Sequence, residues 1–245
     1  MNRTAVLPFL LLPMMALMSC ASSTSKEEKL LEELSNLDKT TIYERAEALY
    51  SDKKYTDARQ LFAFVYDSFP NDPLGHKAAL RVADTYAAKN DVTSLTEARL
   101  RYRDFANRYP NDPDRDYALL MVGHTFSARK LRPDRDLSPI REALGAYQQL
   151  VNLYPDSRYA TEAEERMGGL QELLAEHEWL VAQFYYRNKR WIGAQWRLQY
   201  ITENYPDYSK MEQVNDRISE IETIMEESQA RYKKLIEERT KKIED

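Results

Sequence analysis

The chain has 245 residues and a formal net charge of −5, and 31% of its residues are charged. Acidic and basic residues are interleaved along it, which argues against nucleic acid as a partner, because phosphate binding needs a concentrated basic surface. Six glycines are too few for a fold rich in hairpins or phosphate-binding loops, and abundant helix-forming residues favour an all-α protein.

Residues 1–19 have the composition of a lipoprotein or secretory signal peptide. Arg3 precedes the uncharged run TAVLPFLLLPMMALM. At about 1.5 Å per residue, this run is too short to span a hydrocarbon core of about 30 Å. Pro8 and Pro13 would also interrupt a membrane helix. We therefore expect the segment to be a cleaved export signal.

Cys20, the single cysteine of the chain, directly follows this segment. One cysteine forms no internal disulfide, so the thiol is free, joined to another chain or modified. The sequence LMSC resembles a bacterial lipobox, with Leu17 three residues before Cys20 and Ser19 before the cleavage site. This implies diacylglycerol and an acyl group such as palmitate on Cys20. With the lipid in place, residues 20–39 would form a polar, acylated tether. The alternative is a secreted protein with an incidental cysteine.

Four short stretches repeat one pattern, an aromatic residue followed by proline and Asp or Asn: SFPND, RYPND, LYPDS and NYPDY. They contain Pro70, Pro110, Pro155 and Pro206. Twelve and eight residues before each proline stand an alanine and a large residue: Ala58 and Phe62, Ala98 and Tyr102, Ala143 and Tyr147, Ala194 and Leu198. An earlier small–large pair accompanies each one: Ala46 and Leu49, Ala83 and Tyr86, Gly123 and Phe126, Ala182 and Tyr185. This spacing predicts four antiparallel helix pairs of the tetratricopeptide type, each ended by its proline.

We therefore predict an all-α tetratricopeptide-repeat α-solenoid of about five helix pairs. Repeats one to three occupy 40–155, and a long helix with repeat four occupies 156–208. Unequal spacing within the pairs predicts three extra residues in repeat two and eight in repeat three, both placed in loops. The long helix should cover Tyr159 to Tyr186, with a bend near its two adjacent glycines.

The region 209–245 is predicted to form an amphipathic helix with a charged tail. Met211, Val214, Ile218, Ile221 and Met225 recur at steps of three or four residues, and Tyr232 and Leu235 continue the series. This helix either begins a fifth repeat or caps the stack. Its end, EERTKKIED, is expected to be solvated and frayed.

The sequence contains no recognisable catalytic motif. His76, His124 and His177 lie far apart, and neither a zinc-protease pair, a phosphate loop nor GxSxG occurs. We predict no enzymatic activity, no metal and no cofactor besides the covalent lipid on Cys20.

A peptide-binding groove is the better-supported type of site. On each first helix, three positions lie opposite the packing residues by helical spacing. They predict groove residues Tyr43, Glu47, Tyr50, Asp84, His124 and Gln183, together with Leu80, Ala87, Leu120, Ser127, Trp179 and Tyr186. For Leu120 and Trp179, packing against a neighbouring helix is an equal alternative.

The lipobox, the tether and the unequal repeats together resemble the BamD family, lipoproteins of the outer-membrane β-barrel assembly machinery. The resemblance is most specific in YPNDPDRDYALLMVGHTF, in the region that begins RPDRDLSPIREALGAYQQLVNLYPDS, and in RWIGAQWRLQYITENYPD. It implies a non-enzymatic lipoprotein on the periplasmic face of the outer membrane that promotes the insertion of barrel proteins.

The same resemblance implies partners and site residues. The partners would be a BamA-type barrel protein bound through its POTRA domains, other assembly lipoproteins, and unfolded outer-membrane proteins recognised by the N-terminal repeats. Arg197 matches an arginine at the barrel-protein dock. Asp134, Arg135 and Asp136 match a loop of the third repeat, where they either meet a partner or cap the next helix.

Two other functions remain as alternatives. One is a periplasmic tetratricopeptide adaptor that coordinates cell-wall synthesis with envelope constriction, although such proteins usually lack a lipobox. The other is a peptidoglycan or DNA-uptake factor, for which the acidic net charge is unfavourable.

Overall fold

The computed structural model describes residues 31–128 and 132–244. The predicted signal peptide, Cys20 and residues 20–30 of the predicted tether lie outside the described residues. Within these two ranges the regular structure is helical and contains no strand. A helical segment at 31–35 precedes α1 (Lys39–Ser51), α2 (Tyr55–Ser68), α3 (Pro73–Ala87), α4 (Val92–Arg108), α5 (Arg115–Ser127), α6 (Ser138–Leu153), α7 (Ala160–Arg187), α8 (Trp191–Asn204) and α9 (Met211–Glu244).

The chain divides into two compact units, with the boundary between Ala78 and Ala79 inside α3. In the first unit α1 packs against α2, and in the second each helix from α4 to α8 packs against the helix that follows it. Leu80 and Ala83 of α3 share a core with Ala98 of α4. The predicted all-α tetratricopeptide fold is thereby confirmed. No described helix has the length and apolar character that crossing a membrane requires.

Burial follows the predicted small–large spacing. The alanine and the large residue of every second helix have relative exposures of 0%: Ala58, Phe62, Ala98, Tyr102, Ala143, Tyr147, Ala194 and Leu198. The small residue of every first helix is buried as well: Ala46, Ala83, Gly123 and Ala182. Small side chains allow two helix backbones to approach, and the large neighbour fills the remaining space.

The repeated proline motif forms the same turn four times. Each second helix ends one residue before the aromatic, which adopts φ between −119° and −137° and ψ between 54° and 68°. The carbonyl of the aromatic accepts the N–H three residues later at 3.0 to 3.2 Å. Proline therefore occupies the second position of a β-turn, where its fixed φ is already correct.

The residue that closes this turn also lies shortly before the next helix. Asp72 and Asp112 each accept, through Oδ1, the N–H two residues on at 2.9 Å, and Ser157 does so through Oγ at 3.0 Å. The N–H accepted by Asp72 belongs to the first turn of α3, whereas those accepted by Asp112 and Ser157 belong to the residue just before α5 and α7. In the fourth copy Tyr208 takes this place, and its hydroxyl instead donates to Glu176 at 2.5 Å.

Three of the turns within pairs contain a residue in left-handed conformation: Lys53 (φ 62°), Asn90 (φ 53°) and Lys189 (φ 57°). Each lies four residues after the large residue of its first helix. Glycine is the usual occupant of such positions. The low glycine content therefore does not exclude turns with positive φ in this chain, because lysine and asparagine adopt that conformation here.

The extra residues of repeat two are not in a loop, contrary to the prediction. Eight residues separate Asn90 from Ala98, against five between Lys53 and Ala58, and the difference extends the start of α4. Asp91 caps this longer helix by accepting the N–H of Ser94 at 2.9 Å. Three residues add nearly one helical turn, which keeps the buried face in register. In repeat three the insertion does lie in a connection, between α5 and α6.

Each of the two long helices is continuous over its whole described length. Helix α7 is unbroken through Gly168 and Gly169. Helix α9 buries Val214 and Ile221 against α8, but Tyr232 is 67% exposed, so the apolar series continues without being covered by other described residues. Helix α9 extends to Glu244, so the charged tail is helical, and its side chains up to Lys242 are exposed as predicted.

Gly123 is the most constrained packing position, and we expect Gly123→Ala to lower the free energy of unfolding by about 1–3 kcal/mol. A Cβ at this position would lie 2.3 Å from the Tyr147 ring. Gly169→Ala is the matched control, because a Cβ there meets nothing within 4 Å. The Gly169→Ala control should be more stable than the wild type by about 0.5–1 kcal/mol, because alanine has a higher helix propensity than glycine. Urea unfolding measures both, and equal effects would contradict the packing.

Candidate partner-binding surfaces

The predicted groove residues of the first unit lie half-buried on α1. The ring of Tyr43 meets Phe62 edge-on at a centroid distance of 5.3 Å, and Tyr50 meets Tyr55 in the same way at 5.3 Å. Both tyrosines thus pack partly against α2 while keeping part of their surface in solvent. Glu47 lies between them on the same helix, also half-buried.

Asp84 is buried, with 6% of its surface exposed. Its Oδ1 accepts the hydroxyls of Tyr102 at 2.5 Å and Tyr117 at 2.9 Å, and its Oδ2 accepts Arg81 at 2.7 Å. Burial and this carboxylate raise the pKa of the Tyr117 hydroxyl. The cluster links α3, α4 and α5, so the carboxylate stabilises the contact between repeats two and three.

His124 lies on α5 among side chains of α6 and α7. Its ring meets Tyr147 edge-on at 5.9 Å, and Nε2 lies 3.2 Å from Oε1 of Glu162 at an angle too poor for a hydrogen bond. Burial and the positive charge of Arg166 lower the His124 pKa, and Glu162 only partly offsets them. No nucleophile is hydrogen-bonded to the imidazole in the described residues, so its arrangement is that of a packed surface residue.

Gln183 lies on α7, where its buried Nε2 has no hydrogen-bond partner among the described residues. One turn further, the Tyr186 hydroxyl donates to Glu220 of α9 at 2.5 Å, and the guanidinium of Arg217 stacks 4.0 Å from the Tyr186 ring centroid. Sequence reasoning missed Arg217 and Glu220. The groove residues were predicted only from the first helix of each of the four repeats, and these two residues lie on α9.

The other predicted groove positions are divided between core and surface. Leu120 is 2% exposed and belongs to the main core, so the packing alternative holds for it. Leu80 is likewise buried. Trp179 is half-buried and packs against the core around α8.

The acidic residues of the loop before α6 form hydrogen bonds with neighbouring residues of the same chain. Asp134 accepts two hydrogen bonds from the guanidinium of Arg132, each at 2.9 Å. Asp136 accepts the N–H of Ser138, the first residue of α6, at 2.9 Å, in a local turn that precedes the N-cap residue Leu137. Arg135 is exposed. The carbonyl of Pro133, in the same loop, lies 2.5 Å from Nδ1 of His177 on α7.

Arg197 forms an ion pair inside the α7–α8 hairpin. Its Nη1 lies 2.7 Å from Oε2 of Glu178, which is 9% exposed, whereas about a third of the Arg197 side chain remains in solvent. The guanidinium carbon also lies 5.1 Å from the centroid of the neighbouring Trp196 ring. One edge of the arginine is therefore held by the fold, and the other faces solvent beside an aromatic ring.

An apolar series, the α8 stripe (exposed Ile192 and Trp196 with half-buried Tyr200), borders this arginine. Ile192 is 74% and Trp196 is 58% exposed. Trp196 and Tyr200 stack with a centroid distance of 6.1 Å and an interplanar angle of 26°. Tryptophan, tyrosine and arginine are the residues most enriched at interface hot spots. Sequence reasoning missed this stripe, although its spacing of four residues opposite Ala194 and Leu198 was a usable signal.

Comparison with known proteins places the chain in a described family. The family model "YfiO: Outer membrane lipoprotein" matches residues 35–235. The outer membrane protein assembly factor BamD of Vibrio cholerae is 41% identical over 76 residues, 31% of this chain and 32% of that protein. BamD of Xylella fastidiosa strain Temecula1 is 36% identical over 72 residues, 29% and 25% of the two chains.

A third relative matches most of the chain at lower identity. BamD of Neisseria meningitidis serogroup A is 28% identical over 210 residues, 81% of this chain and 77% of that protein. The alignments with the Vibrio and Xylella proteins thus span only about a third or a quarter of those relatives. The family model covers α7 and α8 together with the repeats before them.

We expect Arg197→Ala to lower the free energy of unfolding by about 1–3 kcal/mol, because Glu178 is left buried without its cation. Urea unfolding measures the loss. Replacing both residues, as Arg197→Met with Glu178→Leu, should recover most of it. The control is Arg108→Ala, which breaks an exposed pair with Asp104 and should change stability by less than about 0.5 kcal/mol. An equal loss in the control would contradict the assignment.

His124 should make stability dependent on pH. Its lowered pKa means that, as pH falls below the ordinary histidine value near 6.5, the unfolded state gains a proton before the native state does. The free energy of unfolding should therefore fall until the native pKa is reached. His124→Gln should remove this part of the slope, whereas His76→Gln should retain it. Identical slopes in both variants would contradict the prediction.

Proposed function

Since the chain belongs to the YfiO family of outer membrane lipoproteins, we propose that it is a non-enzymatic subunit of an outer-membrane β-barrel assembly complex. In this role it binds a BamA-type barrel protein through the POTRA domains and binds unfolded outer-membrane proteins to promote their insertion. Other assembly lipoproteins are further partners. Its relatives are outer membrane protein assembly factors, which supports this class of function.

The observation that carries the proposal is the exposed α8 stripe beside the Arg197–Glu178 pair. Two large apolar residues with more than half of their surface in solvent cost free energy unless a partner covers them. The arginine adds a cation whose position is fixed by Glu178. A folded partner with an apolar surface and a carboxylate at its edge fits this combination.

The predicted groove residues supply the second binding role. Tyr43, Glu47 and Tyr50 keep part of their surface in solvent on α1, and His124 and Gln183 do so in the second unit. Aromatic and amide side chains suit extended, apolar peptide segments. Asp84 contributes from inside, because its hydrogen bonds hold Tyr102 and Tyr117 in place.

Lipid on Cys20 would hold these surfaces at the periplasmic face of the outer membrane. Two or three acyl chains, at about 0.8 kcal/mol per buried CH₂, give stable anchoring where one chain does not. The anchor restricts the protein to the surface on which barrel proteins are inserted, and this raises the effective concentration of both partners.

The test is co-purification from detergent extracts with Ile192→Ser and Trp196→Ser combined. The wild type should recover a POTRA-bearing barrel protein, and the double variant should recover at least about tenfold less, as expected for the loss of a hot spot. Arg197→Glu is less suitable, because it would place a second carboxylate beside buried Glu178.

The matched control is Val92→Ser with Leu100→Ser, two apolar residues on α4 that are 55% and 53% exposed. This control should recover the barrel protein as the wild type does, and circular dichroism should show native helix content in all forms. Undiminished recovery by the α8 variant would contradict the proposed dock. Recovery of cell-wall synthases in place of a barrel protein would support the adaptor alternative and overturn the proposed function.

A further inference from the structure

A cavity of about 430 Å³ opens between α4 and α6, with α5 beneath it. We refer to it as the α4–α6 trench. Its floor is made by buried Leu119 and Val122 of α5. All of its lining lies in the second unit, on the second helices of two repeats and the first helix between them.

The trench exists because the residues along its base are small. Ala106, Gly145 and Ala146 line it, and a Cβ on Gly145 would have nothing within 4 Å. Larger side chains at these positions would fill the space. The small residues leave about 430 Å³ between the α4 and α6 walls, room for part of a polypeptide segment.

The rim carries an excess of positive charge. Arg103 stands on the α4 wall, and Arg141 and Glu142 stand on the α6 wall. The one ion pair across the trench joins Arg103 and Glu142 at 3.9 Å, with more than half of each side chain exposed, so it holds neither residue firmly. Arg141 has no ion pair among the described residues. The rim therefore carries two guanidinium groups and one carboxylate, and Arg141 is available to an incoming carboxylate.

The same walls carry one carboxamide each, Asn107 on α4 and Gln149 on α6. Both side chains are exposed and make no hydrogen bond within the described part of the chain. A carboxamide offers a donor and an acceptor, the two groups that pair with a peptide unit. Opposed carboxamides above an apolar floor are therefore suited to polypeptide backbone.

We propose that the α4–α6 trench binds an extended, acidic polypeptide segment. Carboxylates of the segment pair with Arg103 and Arg141, an apolar side chain between them rests on Leu119 and Val122, and its peptide units bond to Asn107 and Gln149. The bound carboxylate at Arg103 replaces Glu142. This site is separate from the α8 stripe and does not depend on the proposed assembly function.

Fluorescence anisotropy on the full-length lipoprotein in detergent tests the proposal. The probe is a fluorescein-labelled peptide, Gly-Leu-Asp-Val-Glu-Leu-Gly, and the comparison peptide carries Asn and Gln in place of Asp and Glu. The acidic peptide should bind saturably and more weakly as salt rises. Absence of saturable binding, or equal binding of the neutral peptide, would overturn the proposal. Full displacement by inorganic phosphate would also overturn it by indicating a simple anion site.

Variants locate the binding to the trench. Gly145→Leu fills the cavity and should weaken binding at least about tenfold, whereas the matched control Gly169→Leu, on an exposed face of α7, should bind as the wild type. Arg103→Gln combined with Arg141→Gln changes exposed residues only and should weaken binding by a similar factor. If circular dichroism shows that Gly145→Leu folds poorly, the double arginine variant alone tests whether the peptide binds in the trench. Unchanged binding in the arginine variant would overturn the assignment.

Glu142→Gln gives a result of the opposite sign. Removing the carboxylate that competes for Arg103 should tighten acidic-peptide binding by about two- to fivefold. A purely structural role of Glu142 would leave the affinity unchanged or lower it, and either result would overturn the proposed exchange. Because the assay contains no barrel protein, its outcome is independent of the co-purification test.

Discussion

Close approach of helix backbones at a small residue, beside a large side chain that fills the adjacent space, is the constraint on which the structure depends. Gly123 against the Tyr147 ring is its tightest example. A helix pair built this way leaves one apolar face open, and only the next pair covers it. Continuity of the stack is therefore a condition of stability. The Asp84 cluster adds a polar link of the same kind, because its carboxylate is satisfied only when α3, α4 and α5 are all in place.

The repeated proline motif connects these pairs with a fixed geometry. The aromatic leaves helical conformation, proline sets the β-turn, and in three of the four copies a short polar side chain then accepts an N–H at or just before the next helix. Gly75 shows how closely the turn folds back, since a Cβ there would lie 1.9 Å from the Phe69 carbonyl oxygen. One five-residue motif thus ends a helix, reverses the chain and begins another. Its repetition gives successive pairs equivalent connections, which a regular stack requires.

The surfaces proposed for binding lie where this packing leaves side chains uncovered. Every member of the α8 stripe lies opposite the buried Ala194 and Leu198, so the same helix that closes the core presents an apolar face to solvent. The α4–α6 trench has a related origin, because small residues on two second helices leave space above α5. Charges inside the fold, such as Glu178, are paired and hold the structure. The charges suited to partners stand at the rims, as Arg103 and Arg141 do.

The sequence by itself determined the helical class, the pairing of helices, the buried small–large positions and the place of each proline turn, because these depend on spacing along one chain. Through a resemblance it also named Arg197 as a candidate for the dock, which stays a prediction. Only the tertiary structure decided which polar residues are buried and bonded inside the fold and which remain accessible to a partner. Asp84 and His124 occupy similar positions on their helices, yet Asp84 is buried among tyrosines and His124 remains partly exposed. The α8 stripe and the α4–α6 trench were equally beyond the sequence reasoning, since exposure and empty space depend on neighbours from distant parts of the chain.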